Sequence, residues 1–198
     1  MNASPPFLRA ENLACRRGDR LLFARLSLSV DAGEALHLSG ANGIGKSSLI
    51  RILAGLLRPF EGSVHKAGAM ALLDERPALD THLPLGRALA FWGRVDGIAP
   101  ARLDEVAQSV GLGDLLDVPV RFLSTGQRKR AALARAIAQD APVWLLDEPL
   151  NGLDTASVAT VEALVADHCA GGGLCLLASH QPVAVPNLAR LELSDFAA

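Results

Sequence analysis

Gly40-Ala41-Asn42-Gly43-Ile44-Gly45-Lys46-Ser47 fits the spacing G-x-x-x-x-G-K-[ST], which makes a loop that cradles phosphate groups. Glycines here take backbone angles that bulkier residues resist, so successive N–H groups can crowd around one anion. Upstream, Ala35-Leu36-His37-Leu38-Ser39 reads as a short buried strand entering the loop. Downstream, Ser48 to Ala54 reads as a helix leaving it and adding the positive end of its dipole. Lys46 is then placed to reach the β- and γ-phosphates of a nucleotide, and the Ser47 hydroxyl to ligate Mg²⁺. Gly40 to Ser47, with Ser48, are the candidate nucleotide-binding residues.

Pro142-Val143-Trp144-Leu145-Leu146-Asp147-Glu148 is an apolar run ending in two carboxylates. Such a run reads as a strand buried in a parallel sheet. Asp147, at its carboxyl end, is placed to hold Mg²⁺ directly or through water. Glu148, one residue on, is the candidate to orient or deprotonate an attacking water.

Between these segments lies Leu123-Ser124-Thr125-Gly126-Gln127. Ser124 can cap a helix beginning near Gly126, and Arg128 to Gln139 continues that helix with Ala, Leu and Ile on one side. Arg128-Lys129-Arg130 puts cations near the helix start, where the dipole disfavours them. An approaching anion would explain the placement; a solvated basic face would also produce it.

Taken together, these residues resemble the nucleotide-binding subunits of ABC transporters. Leu123 to Gln127 is similar to the family's signature motif LSGGQ, with Thr125 in place of its first glycine. Asn151-Gly152-Leu153-Asp154 resembles the D-loop. His180, after Leu174-Cys175-Leu176-Leu177-Ala178, resembles the switch histidine. Gly55 to Val64 resembles the segment after the P-loop helix. The resemblance implies an ATPase of the P-loop type: an α/β fold with a parallel core sheet, an antiparallel β subdomain and a small helical subdomain. It implies ATP and Mg²⁺ as ligands, and two subunits pairing head to tail over two ATP molecules. Ser124, Gly126 and Gln127 would then serve ATP held on the partner's P-loop. Lys46, Glu148 and His180 would be the catalytic set, with His180 sensing the γ-phosphate.

The chain of 198 residues suffices for one domain, read as spanning 1–198. Half its residues are hydrophobic, yet no run approaches the ~20 apolar residues that span a bilayer. Any membrane association is therefore expected to come through a partner; the resemblance implies an integral-membrane partner subunit, at the cytoplasmic face of a bacterial inner membrane. The start shows no signal-peptide pattern. A net charge of −2 argues against a nucleic-acid partner. Cys15, Cys169 and Cys175 lack metal-ligand spacing and read as buried thiols in a reducing compartment. Phe7 to Cys15 and Leu21 to Val30 read as antiparallel strands joined by a turn over Arg16 to Arg20. From about Thr81 to Val120 the pattern is helical, over Leu85–Val95, Ala101–Val110 and Leu112–Leu116. After His180 only a short tail is expected.

Two positions depart from the family pattern. Arg16 and Arg17 precede Gly18 where an aromatic residue usually stacks on adenine, so a guanidinium or a group from elsewhere must serve. The Q-loop glutamine is replaced by Glu75, a further candidate Mg²⁺ ligand, or by Arg76 if the alignment shifts by one residue. Within the family, the chain is most similar to the haem exporter ATP-binding subunits of bacterial cytochrome c maturation. The matching features are its brevity, Arg16 to Phe23, Leu123 to Arg130 and Ala178-Ser179-His180-Gln181-Pro182. That resemblance implies ATP use in haem export and delivery to a haem chaperone, with no haem site on this chain. The alternatives are the ATPase of a transporter for another solute, and a soluble ABC ATPase acting on ribosomes or DNA. The latter usually shows tandem nucleotide domains, an inserted arm or a basic surface, and these are lacking here.

Overall fold

Leu26, Leu28 and Val30 alternate with Ser27 and Ser29, and that period of two makes a strand with one buried face. This is β2 (Arg20–Asp31), paired antiparallel with β1 (Phe7–Arg17). The pairing runs from Phe7 opposite Asp31 to Arg17 opposite Arg20, so the turn is only Gly18-Asp19, tighter than the five residues expected. The computed structural model describes residues 4–74 and 78–197. Glu75 and Arg76, the two Q-loop candidates, lie outside the described residues.

On the other side of β1 runs β4 (Glu61–Ala67), also antiparallel. Gly62 sits where β1 bulges. A Cβ there would stand 2.3 Å from the carbonyl oxygen of Glu11, and its φ is +86°, so only glycine fits.

The second sheet is parallel. It comprises β3 (Ala35–Ser39), β5 (Met70–Leu73), β6 (Val143–Asp147), β7 (Leu174–Ala178) and β8 (Leu188–Glu192), in the order β5-β6-β7-β3-β8. Every residue of β3, β6 and β7 is buried. Covering on both faces explains their unbroken apolar character. On one side, α1 (Lys46–Ala54) and the antiparallel sheet close a core through Leu8, Phe23, Leu26, Leu49, Leu53 and Leu145. On the other, α4 (Thr125–Ala138) and α5 (Thr155–Ala170) pack Leu133, Val161 and Val165 against Trp144, Leu146 and Leu177.

The helical region contains α2 (Leu85–Asp96) and α3 (Pro100–Ser109). The expected helix over 112–116 is only a 3₁₀ turn, Gly113–Leu115. It follows Gly111, whose φ of +68° ends the preceding helix, and Pro119 soon limits it. Leu85, Leu89, Val106 and Leu112 share a third core with Ala131 and Ala134 of α4, which fixes the helical region to that helix.

The segment after His180 is more than a tail. β8 pairs with β3 along Ala35–Ser39, and Leu193 just beyond it is fully buried in the main core. β8 escaped notice because its side chains are mostly half-exposed, the mark of an edge strand with weak periodicity. Leu193→Ala should cost about 2–5 kcal/mol, read as a lowered urea midpoint at unchanged slope.

His168, in the last turn of α5, stacks on Trp144 with ring centroids 3.9 Å apart and planes 9° apart. Burial holds its pKa below the ordinary 6.5. The unfolded chain thus binds the proton more readily, so this stability is complete above 6.5 and is lost as pH falls through the lowered value. Urea midpoints measured from pH 7 down to 5 should decline, and His168→Gln should lessen that slope.

Candidate nucleotide-binding site

The parallel sheet brings distant segments together at one edge. Ala178 lies opposite Leu38 on one side and Asp147 on the other. The strands β3, β7 and β6 therefore end side by side, and the residues that follow them share one crevice, where open α/β sheets place ligands. A cavity of about 350 Å³ occupies it. Gly43, Gly45, Lys46, Ser47 and Ser48 line one wall with Asn42; Glu148, Asn151 and His180 line the other.

Lys46 is 6% exposed. Its Nζ donates to the carbonyl of Gly40 at 2.7 Å and of Ala41 at 3.3 Å, and lies 3.4 Å from Glu148 Oε1. Glu148 Oε2 is 2.9 Å from His180 Nδ1. One carboxylate thus joins the P-loop cation to the histidine after β7. Glu148 has φ +49°, uncommon for a residue with a side chain. Its N–H donates to the Ala178 carbonyl at 2.9 Å, and its own carbonyl accepts from Lys129 Nζ at 2.5 Å. Asp147 ends β6 and is 2% exposed. Ile44 lies behind the loop, where its side chain abuts Gly40.

Ser124 caps α4: its Oγ accepts from the Gln127 N–H at 3.1 Å, and Gln127 Oε1 accepts from the Ser124 N–H at 2.8 Å. Accepting that bond leaves the hydroxyl proton of Ser124 available to donate. The Gln127 side chain, by contrast, is turned back on its own helix. Ser124, Thr125, Gly126 and Gln127 line a second cleft of about 450 Å³ with Gly152, Leu153 and Asp154. The two cavities have no lining residue in common. Asn151 borders the first and Gly152 the second, so the segment 151–154 stands between them.

The family model for ABC transporters matches residues 23–151. The chain belongs to the ABC transporter family. It is 60% identical to the cytochrome c biogenesis ATP-binding export protein CcmA of Novosphingobium aromaticivorans, over 96% of each chain. It is 51% identical to that of Zymomonas mobilis, over 96% of this chain and 86% of the relative. A solved metal-chelate type ABC transporter in an inward-facing conformation matches with a TM-score of 0.81 at 26% identity, covering 96% of this chain and 79% of that one. An ABC transporter ATP-binding protein from Pyrococcus furiosus has the same fold, with a TM-score of 0.85 at 20% identity, over 97% of this chain and all of that one. As a member of this family the chain is a nucleotide-binding, ATP-hydrolysing transporter subunit.

Sequence reasoning missed three supporting residues. His37 Nε2 bonds to the carbonyl of Ser179 at 2.9 Å and so fixes the turn that carries His180; a lone histidine in an apolar strand was the available signal. Leu22 lines the nucleotide cavity from the antiparallel sheet. Lys129 holds Glu148 by its backbone. Arg16, one candidate for stacking on adenine, has its guanidinium 4.5 Å above the Phe60 ring. Lys46→Ala should weaken binding of a fluorescent ATP analogue and abolish phosphate release, with the far-UV circular dichroism spectrum retained.

Proposed function

We propose that this chain powers an export step of c-type cytochrome biogenesis, as the ATPase subunit of a complex with an integral-membrane partner. The step is haem export or delivery of haem to its chaperone. The chain works at the cytoplasmic face of the inner membrane, held there by the partner. Among the described residues no helix is long and apolar enough to cross a membrane. Its relatives' role in cytochrome c biogenesis export supports the choice of cargo pathway.

The observation that carries the mechanism is the separation of the two clefts. Lys46, Glu148 and His180 meet in one, while Ser124 and Gly126 lie in the other. Two copies pairing head to tail bring each signature cleft over the other's P-loop. ATP phosphates then lie on the N–H groups of Gly43 to Ser48, with Lys46 on the β- and γ-phosphates. Ser124 and the Gly126 N–H of the second copy donate to the γ-phosphate, so hydrolysis waits for closure. Glu148 accepts a proton from the attacking water. His180 steadies that carboxylate and faces the γ-phosphate. The catalytic power is positioning and charge neutralisation more than covalent chemistry. The Ser47 hydroxyl and the Asp147 carboxylate are hard oxygen donors of the kind Mg²⁺ prefers, and they would hold it beside the phosphates. The ion, when bound, neutralises charge on the β- and γ-oxygens.

Glu148→Gln should leave ATP affinity near wild type and accumulate a closed dimer with ATP, read by gel filtration. Undiminished turnover in that variant would remove Glu148 from its role. In source cells lacking the gene, haem staining of membrane c-type cytochromes should disappear. Wild type should restore it and Lys46→Ala should not. Cytochromes that persist in the deleted strain would refute the pathway while leaving the ATPase intact.

A further inference from the structure

The basic run Arg128-Lys129-Arg130 does not act as one face. Arg130 Nη1 donates to the carbonyls of Val110 at 2.8 Å and Gly111 at 3.3 Å, and so satisfies the end of α3. Arg128 Nη2 lies 3.5 Å from Thr125 Oγ1 at the surface. Lys129 reaches into the sheet edge, and its Nζ donates to the carbonyl of Glu148.

Glu148 is fixed through both its side chain and its backbone. Lys46 and His180 hold the side chain. Ala178, Asn151 and Lys129 hold the backbone, the first through its carbonyl, the second through its N–H at 3.4 Å and the third through its ammonium. The backbone between them has φ +49°, a conformation that persists only where the surroundings impose it. Lys46, Ala178 and His180 belong to segments of the nucleotide cleft. Asn151 lines that same cleft, whereas Lys129 comes from the helix that begins at Ser124 and borders the other cleft.

We infer that Lys129 is a positioning residue that couples the two ATP sites of the assembled pair. This rests on the two-subunit reading above. In that arrangement Ser124 meets ATP held by the partner, while Glu148 of the same chain meets its own. Residues 124 and 129 are joined by a rigid helical stretch, so a shift of the helix start on closure reaches the Lys129 ammonium. A charge-assisted hydrogen bond then passes that shift to the Glu148 carbonyl. The angle of the carboxylate toward its own water thus depends on whether the opposite site is filled.

The test compares the full chain as wild type, Lys129→Met and Lys129→Arg. Lys129→Met keeps the length and removes the donor, and Lys129→Arg restores a cationic one; Lys129→Leu, which also lacks a donor, stands in should Lys129→Met not fold. ATP affinity is read with a fluorescent analogue, and turnover by phosphate release across ranges of protein and ATP concentration. In Lys129→Met, kcat should fall about tenfold to a hundredfold, the scale of a misplaced reacting group. Its affinity should stay close to wild type, its turnover should lose cooperativity in ATP, and Lys129→Arg should recover most of kcat. Unchanged kcat and cooperativity in Lys129→Met overturn the inference. Equal losses of affinity and kcat also overturn it, because the damage then lies in the P-loop. Wild-type turnover strictly proportional to protein concentration overturns the two-subunit reading itself, and the coupling with it.

Discussion

The ammonium of Lys46 is the charge around which the site is built. A buried lysine is costly unless its donors are satisfied and its charge is balanced. Here the carbonyls of Gly40 and Ala41 satisfy two donors, and Glu148 supplies the opposing charge. That arrangement requires β3 and β6 to end at the same height with β7 between them. It also requires the P-loop to curl back over its own lysine, which glycines at 40, 43 and 45 allow through positive φ. Much of the architecture can be understood as what keeps this edge in register. The two outer cores close the sheet from both faces, and β8 braces β3 on its open side.

That brace reaches the loop itself. Glu192, at the end of β8, accepts from Ser39 at 2.7 Å and from Ser194 at 2.7 Å, and its carboxyl lies against Gly40. The hydroxyl of Ser39, followed by that of Ser194, holds the Glu192 pKa below its usual range. A segment distant in sequence thereby packs against the start of the loop.

A single subunit carries two clefts with different linings. The lysine, the carboxylate and the histidine face one cleft, and the capped start of α4 faces another. The third core ties α4 to the helical region. The segment 151–154 lies between the clefts and leads into α5, whose cap is Asp154 accepting from Ser157 N–H at 2.7 Å. That bond from the Ser157 backbone N–H contributes most to holding the Asp154 carboxyl below its usual pKa.

The sequence by itself determined the elements that local chemistry controls. The P-loop was legible because its glycine spacing has one dominant use, and β3 and β7 because strands covered on both faces are unbroken apolar runs. Ser124 as a cap was legible because capping acts within a few residues. Tertiary structure alone decided what depends on distant partners. β8 is a strand because β3 offers an edge, although its own pattern is weak. Lys129, read from sequence only within a basic run, points into the protein because the Glu148 carbonyl lies there to receive it. Periodicity and caps are written along the chain at short range. The meeting of β3, β6, β7 and α4 around one lysine and one carboxylate comes from non-local packing.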